Sequence, residues 1–346
     1  MKRTPNNLFL FATLFAVLFF SAASEIRASN LLPRRSVSTT KPEWASPTLS
    51  PDLRTESEIQ DMQQAYACPP GSSYVQHSQF HYEFFPNEIL YPTYLAGVNE
   101  SRMASVWNHD EKLGWIWDVS LGGRAPIFKI DKYEHNRHPV MKNIRTFQID
   151  IEGSVHLRLD IQRERDLDSA DFRCGVPLTY GNETVQFKTG YYHVSSHLGD
   201  ERVLRLQQER GAGAFPYGRT NYYREALLLG VSYRIFPALR TYLEADYAFT
   251  FGEQTRPWHF QFGVEYSRLQ KDEGLYGSPF AAMNVRLMQE KDYDGNICLQ
   301  LGWQKRGSRN QLFRIGVQYF GGVREQYEYI LARHEHKIGI AMWYDF

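Results

Sequence analysis

Cysteine is nearly absent: Cys68, Cys174 and Cys298 are the only three among 346 residues. An odd count in an exported chain argues against a disulfide framework, and all three are expected to be unpaired. Net charge is also missing, because 39 basic and 39 acidic side chains cancel. That removes the concentrated basic surface that nucleic-acid binding needs, so no nucleic-acid partner is expected. Beyond residue 20 no apolar run reaches helix length, which excludes further membrane-crossing helices. Gly211, Gly213 and Gly218 lack the strand–loop–helix setting of a phosphate cradle, and no cofactor is expected. No lipobox-like cysteine follows the N-terminal segment.

A leader is expected at the N-terminus. Lys2 and Arg3 precede an apolar run, Leu8 to Phe20, and then Ser21, Ala22, Ala23 and Ser24. This composition predicts a secretory signal over residues 1–23, cleaved near Ala23, the alternative being a retained anchor. Residues 24–70 hold Pro33, Pro42, Pro47, Pro51, Pro69 and Pro70 among Ser, Thr and charges, the composition of a poorly ordered linker. Residues 71–100, with Phe84, Phe85, Tyr91 and Tyr94 interrupted by Pro86 and Pro92, are expected to cap or plug something. A barrel is expected over 101–346.

Aromatic residues make up 15% of the sequence, and alternation is its main pattern. From 147 to 161 the odd positions carry Phe147, Ile149, Ile151, Gly153, Val155, Leu157, Leu159 and Ile161. The even ones carry Gln148, Asp150, Glu152, Ser154, His156, Arg158 and Asp160. Successive strand side chains point to opposite faces, so this is a ribbon with one apolar and one polar side. A membrane-barrel strand needs ~9–11 residues, whereas the half-solvated strands of a soluble sandwich usually have about 5–6. The pattern recurs over Phe172–Tyr180, Val185–His197, Arg224–Ile235, Leu239–Phe251, Trp258–Tyr266, Phe280–Gln289, Asn296–Gln304, Gln311–Phe320 and Lys337–Phe346. It is weaker over Arg102–Asn108 and Leu113–Leu121. The expected fold is all-β: an antiparallel up-and-down transmembrane β-barrel of about twelve strands with a disordered N-terminal extension.

The last strand ends in Phe346 with Tyr344 two residues before it. This resembles the C-terminal signature of bacterial outer-membrane barrels, which implies outer-membrane assembly machinery as a partner and the outer membrane as the address. With that end periplasmic, Gly181–Thr184 and Phe236–Ala238 become short periplasmic turns. Glu201–Tyr222, Gly252–Pro257 and Gly321–His336 become external loops, and Leu269–Pro279 is a periplasmic connection longer than the pattern wants. The blocks RDLDSADFR, GYYHVSSHLGDE, YYREALLLGVSY, LEADYAF, FQFGVEYS, RIGVQYF and the closing WYDF resemble the bacterial family called domain of unknown function 1207, over roughly residues 80–346. That resemblance implies no activity.

Chemistry has one candidate location. In Tyr191–His197 an extended chain puts His193 and Ser195 on one face, ~7 Å apart and within reach of a hydrogen bond after a modest tilt. Val185, Phe187 and Tyr191 share that face, which makes it the lipid-facing side, near the outer end of its strand. Asn221 or Glu225 on the next strand would orient His193, completing a nucleophile–base–orienter set. A His-x-Ser pair outside a barrel resembles the outer-membrane phospholipase A and lipid A deacylase families. The phospholipase pattern continues with Asn where this chain has Ser196, and its orienting Asn lies nearer in sequence than Asn221. The implied roles therefore cover Ser195 as nucleophile and His193 as base, with Asn221 or Glu225 as orienter.

Other readings of the same residues stand beside this one. His193, His197 and Tyr191 also suit an interfacial girdle. His193 and His197 with Asp200 and Glu201 do not make a closed ligand set, so no metal is assigned. Glu152, Arg158, Asp160, Arg240, Glu244 and Asp246 should face the lumen and rigidify it. Arg202, Arg205 and Arg210 would meet either anionic lipid headgroups or solvent. Three functions follow: a structural or interaction barrel among outer-membrane lipids, a lipid-acting serine hydrolase, or a narrow pore for small solutes.

Overall fold

A computed structural model of the chain describes residues 78–134, 142–211, 222–252, 255–269, 276–326 and 334–346. The expected signal, the linker and Cys68 lie outside them. In chain order the strands are β1 Ser78–Phe84, β2 Met103–Asp110, β3 Gly114–Glu134, β4 Lys142–Asp160, β5 Asp166–Gly181 and β6 Val185–Leu198. One helix, α1 Asp200–Arg210, intervenes. It is followed by β7 Tyr222–Phe236, β8 Leu239–Phe251, β9 Trp258–Tyr266, β10 Ser278–Met288, β11 Gly295–Arg306, β12 Leu312–Val323 and β13 His334–Asp345. Neighbours pair antiparallel throughout. The ring closes where β13 meets β2, from Lys337 opposite Asp110 to Tyr344 opposite Met103. Strands β2–β13 therefore form a closed twelve-stranded barrel. β1 is a thirteenth strand laid on the edge of β3 beyond β2, with Phe84 opposite Phe128.

Burial runs opposite to that of a soluble protein. Leu229 and Ile340 are 66% and 67% exposed, while Arg224, Arg314 and Lys337 are fully buried. On β4, Gln148, Asp150, His156 and Arg158 face inward and their odd-numbered neighbours face out. Apolar outside and polar inside is the pattern of an outer-membrane-type barrel, because lipid offers no partner to a polar side chain. At the end of the barrel where Phe346 lies, here the turn end, connections such as 182–184 are tight. The Asn182 side chain accepts the backbone N–H groups of Thr184 and Val185, both at 2.9 Å. The opposite, loop end carries α1.

The sequence reading differs from the structure in four places, the first being β1, a strand inside the 71–100 segment expected only to cap or plug. β3 runs to Glu134 rather than stopping at Leu121, because a register shift between Pro126 and Phe128 moves its apolar residues from odd to even positions. The segment read as the loop Glu201–Tyr222 contains α1, which follows Gly199, has Asp200 and Glu201 in its first turn and buries Leu206. Asp160 sits at the rim and accepts Gln162 N–H and the Arg163 guanidinium instead of pairing inside the lumen.

Between β1 and β2 the chain leaves the wall and enters the lumen. Its backbone carbonyls there take wall arginines as donors: Arg124 to Tyr91 at 3.0 Å, Arg240 to Pro92 at 3.0 Å and Arg314 to Leu95 at 3.2 Å. Glu265 accepts the Leu95 N–H at 3.0 Å. Irregular backbone can lie at this depth only if the surrounding wall satisfies it in this way. Tyr94 stacks on Tyr242 of β8 with ring centroids 3.8 Å apart and donates to Glu244 at 2.9 Å. Phe346 packs over Gly123, where a Cβ would meet its ring at 2.8 Å.

Candidate functional site

The outward face of β5, β6 and β7 carries the site expected from sequence. Antiparallel register lines up Cys174, His193 and Glu225 in one row across the three strands. Cross-strand neighbours lie about 4.5–5.5 Å apart at Cβ, and His193 Nδ1 meets Glu225 Oε1 at 2.7 Å. Tyr191, two residues before His193, reaches diagonally and donates its hydroxyl to the other Glu225 oxygen. A carboxylate on a lipid-facing surface is costly unless it is hydrogen-bonded or near the interface, and here it has two partners.

Ser195 lies opposite Phe172 and Tyr223, and among the described residues no hydrogen bond links it to His193. Asn221 lies outside the described residues. His193 and Glu225, two of the residues singled out from sequence, are thus brought together, while Ser195 stands beside them unjoined. Ser195 is paired on both sides, so its backbone N–H belongs to the ladder and is not a spare oxyanion donor. Tyr191 was missed from sequence as a partner of Glu225, although its i, i+2 spacing from His193 carries that signal. Cys174 is exposed and Cys298 buried, both as free thiols. His197 packs edge-on against Phe172 at 5.9 Å. Among the described residues no three His, Cys, Asp or Glu side chains converge as metal ligands.

The lumen holds a larger constellation. At the loop end Arg158 meets Asp118 at 2.8 Å, Glu325 at 2.8 Å and Glu335 at 2.7 Å, and Lys337 adds a contact of 3.0 Å to Asp118 and another to Glu325. Burial pushes the Glu325 carboxyl up to about 7, with Asp118 adding to the effect and Lys337 and Arg158 opposing it. Arg202 and Arg205 of α1 pair with Asp168 and Asp166 of β5, which gives these arginines protein partners. Deeper in, Lys188 pairs with Glu244, Arg224 with Asp246, and Arg240 with Glu265 at 2.8 Å. Two lumen cavities at and above this level measure only about 40 and 30 Å³. At the turn end a larger cavity, about 380 Å³, lies between the inserted segment and the strand ends.

A family model described as "Protein of unknown function (DUF1207)" matches residues 119–346. No curated protein sequence matches the chain. Among solved structures, the chain is similar to outer membrane phospholipase A from Escherichia coli at 9% identity, over 72% of this chain and 96% of that one, with a TM-score of 0.43. It is similar to KdgM porin at 10% identity, over 70% and 99%, with a TM-score of 0.37. A mutant of Rh. blastica porin aligns at 5% identity, over 70% and 98%, with a TM-score of 0.31.

Proposed function

We propose that this chain, which belongs to the DUF1207 family of proteins of unknown function, sits in the bacterial outer membrane as a filled barrel with a structural or interaction role. The observation that carries this reading is the inserted segment 85–102, whose carbonyls are held by arginines of β3, β8 and β12. Above it the ion pairs around Arg158 occupy the lumen with side chains. A conducting barrel needs a continuous aqueous column, and an inserted segment together with salt bridges that project into the lumen interrupts one. Full-length protein refolded into planar bilayers is expected to give no stepwise conductance. Steady unitary steps would replace this reading with that of a narrow solute pore. Recovery in the soluble fraction of cells, rather than as a heat-modifiable band in outer-membrane fractions, would remove the membrane address.

A second reading, a lipid-acting serine hydrolase, is favoured by the 2.7 Å contact of His193 with Glu225 on the lipid-facing surface. In that chemistry His193 Nδ1–H donates to Glu225, leaving Nε2 to take the Ser195 proton as the hydroxyl attacks a lipid ester. It predicts fluorophosphonate labelling that disappears in Ser195→Ala. A folded, lipid-supplied preparation that takes no label eliminates it.

A further inference from the structure

The turn-end cavity contains a cation without a partner. Arg234, at the last inward position of β7, lines this space of about 380 Å³ and is half-buried. Among the described residues its guanidinium makes no hydrogen bond and no ion pair. Directly opposite it in the ladder stands Arg240, a like-charge placement that destabilises a strand pair. Arg240 is itself committed to Glu265 and to the carbonyls of Pro92 and Thr93. Arg306, a third arginine within electrostatic reach, donates to Arg268 O at 3.1 Å and to Ser267 Oγ at 3.0 Å. Five carboxylates line the same space: Glu265, Asp345 and Asp131 are paired with Arg240, Arg314 and Lys129, and Glu183 and Glu88 are exposed at its mouth.

The amides lining the same space are polarised in the same sense. The Gln186 oxygen already accepts Ser232 Oγ, and the Asn182 oxygen accepts two backbone N–H groups. Each therefore has its NH₂ group left to donate. Arg234, Gln186 and Asn182 give the cavity unspent donors and one unpaired positive charge. An unpaired, partly desolvated guanidinium is expensive, and a planar oxyanion relieves that cost through a bidentate contact. The volume lies within the range of small-molecule sites, about 300–1,000 Å³.

We propose that this vestibule is a binding site for a small organic molecule bearing a carboxylate or phosphate group, with Arg234 as its principal contact and the Gln186 and Asn182 amides as orienting donors. The site opens at the turn end, past Glu183, Leu269 and Phe346. It depends on neither reading of the outward-facing pair.

The test uses full-length protein refolded in detergent, with thermal unfolding followed against inorganic phosphate and against citrate, ionic strength being balanced with sodium chloride. At least one of the two probes should raise the midpoint saturably in the wild type, and the one that does assigns the anion class. Arg234→Gln should weaken that binding by roughly tenfold or more, and Arg234→Lys, which keeps the charge but loses the fork, by less. Arg163→Gln at the opposite end should bind as the wild type does. Without ligand, Arg234→Gln should unfold at the wild-type midpoint or above it, because a repelled cation has been removed. The proposal is overturned if neither probe shifts the folded wild type, if Arg234→Gln and Arg234→Lys both bind as the wild type does, or if ligand-free Arg234→Gln is markedly less stable.

Discussion

The two ends of the lumen use the same side chains and dispose of them differently. At the loop end Arg158 and Lys337 are surrounded by Asp118, Glu325 and Glu335, and every charge has an opposite within contact. At the turn end Arg234 faces Arg240 with open space in front of it. Burying a charge is affordable only when its partners are buried with it. A fully answered cluster is therefore part of the fold, and an unanswered one within a cavity marks a place kept for something else.

The sharpest way to break this contrast is to remove one arginine from each end. Arg158→Met removes one of the two cations that Asp118, Glu325 and Glu335 share, Lys337 being the other, and is expected to lower unfolding stability by roughly 3–5 kcal/mol in a denaturant titration. Arg234→Met should leave it unchanged or raise it by less than about 1 kcal/mol. Similar losses at both ends would erase the distinction.

An effect of comparable size, up to about 3–4 kcal/mol, is expected from pH. The folded Glu325 holds its proton up to about 7, whereas the unfolded carboxyl releases it near 4.3. Between those values the folded state binds more protons than the unfolded one, so this contribution is complete below the lower value and is lost as pH rises through 7. Glu325→Gln should flatten that part of the stability–pH curve, and an unchanged curve would mean that Glu325 is not the group that titrates there. The smallest change belongs to the outward surface. His193→Ala removes a partly exposed pair and should cost under about 1 kcal/mol by the same titration. A larger loss would show that the outward pair, too, belongs to the framework.

How much of this was legible beforehand depended on whether the pattern lay in one strand or between several. The alternation from Phe147 to Ile161 announces both faces of β4, and the reading of Leu239–Phe251 and Trp258–Tyr266 coincides with β8 and β9. It failed on β3 because the Pro126–Phe128 irregularity reverses the phase of alternation partway along. It failed on α1 because a short helix held by Arg202 and Arg205 against β5 carries little apolar periodicity of its own. The pairing of His193 with Glu225 was available as one of two options for the next strand, since the opposition of those residues follows from register. The solitude of Arg234 was not available, because a missing partner is a property of every element around a residue and of none in particular.

The route of the chain through its own barrel has a mechanical consequence. Residues 85–102 are tethered at one end by β1, zipped to the edge of β3, and at the other by β2, which belongs to the ring itself. A stopper on two leashes cannot drift away from the mouth as a separate plug domain does. Pulling the segment out of the bore from its N-terminal side would therefore have to undo the β1–β3 ladder as well as the contacts inside the lumen.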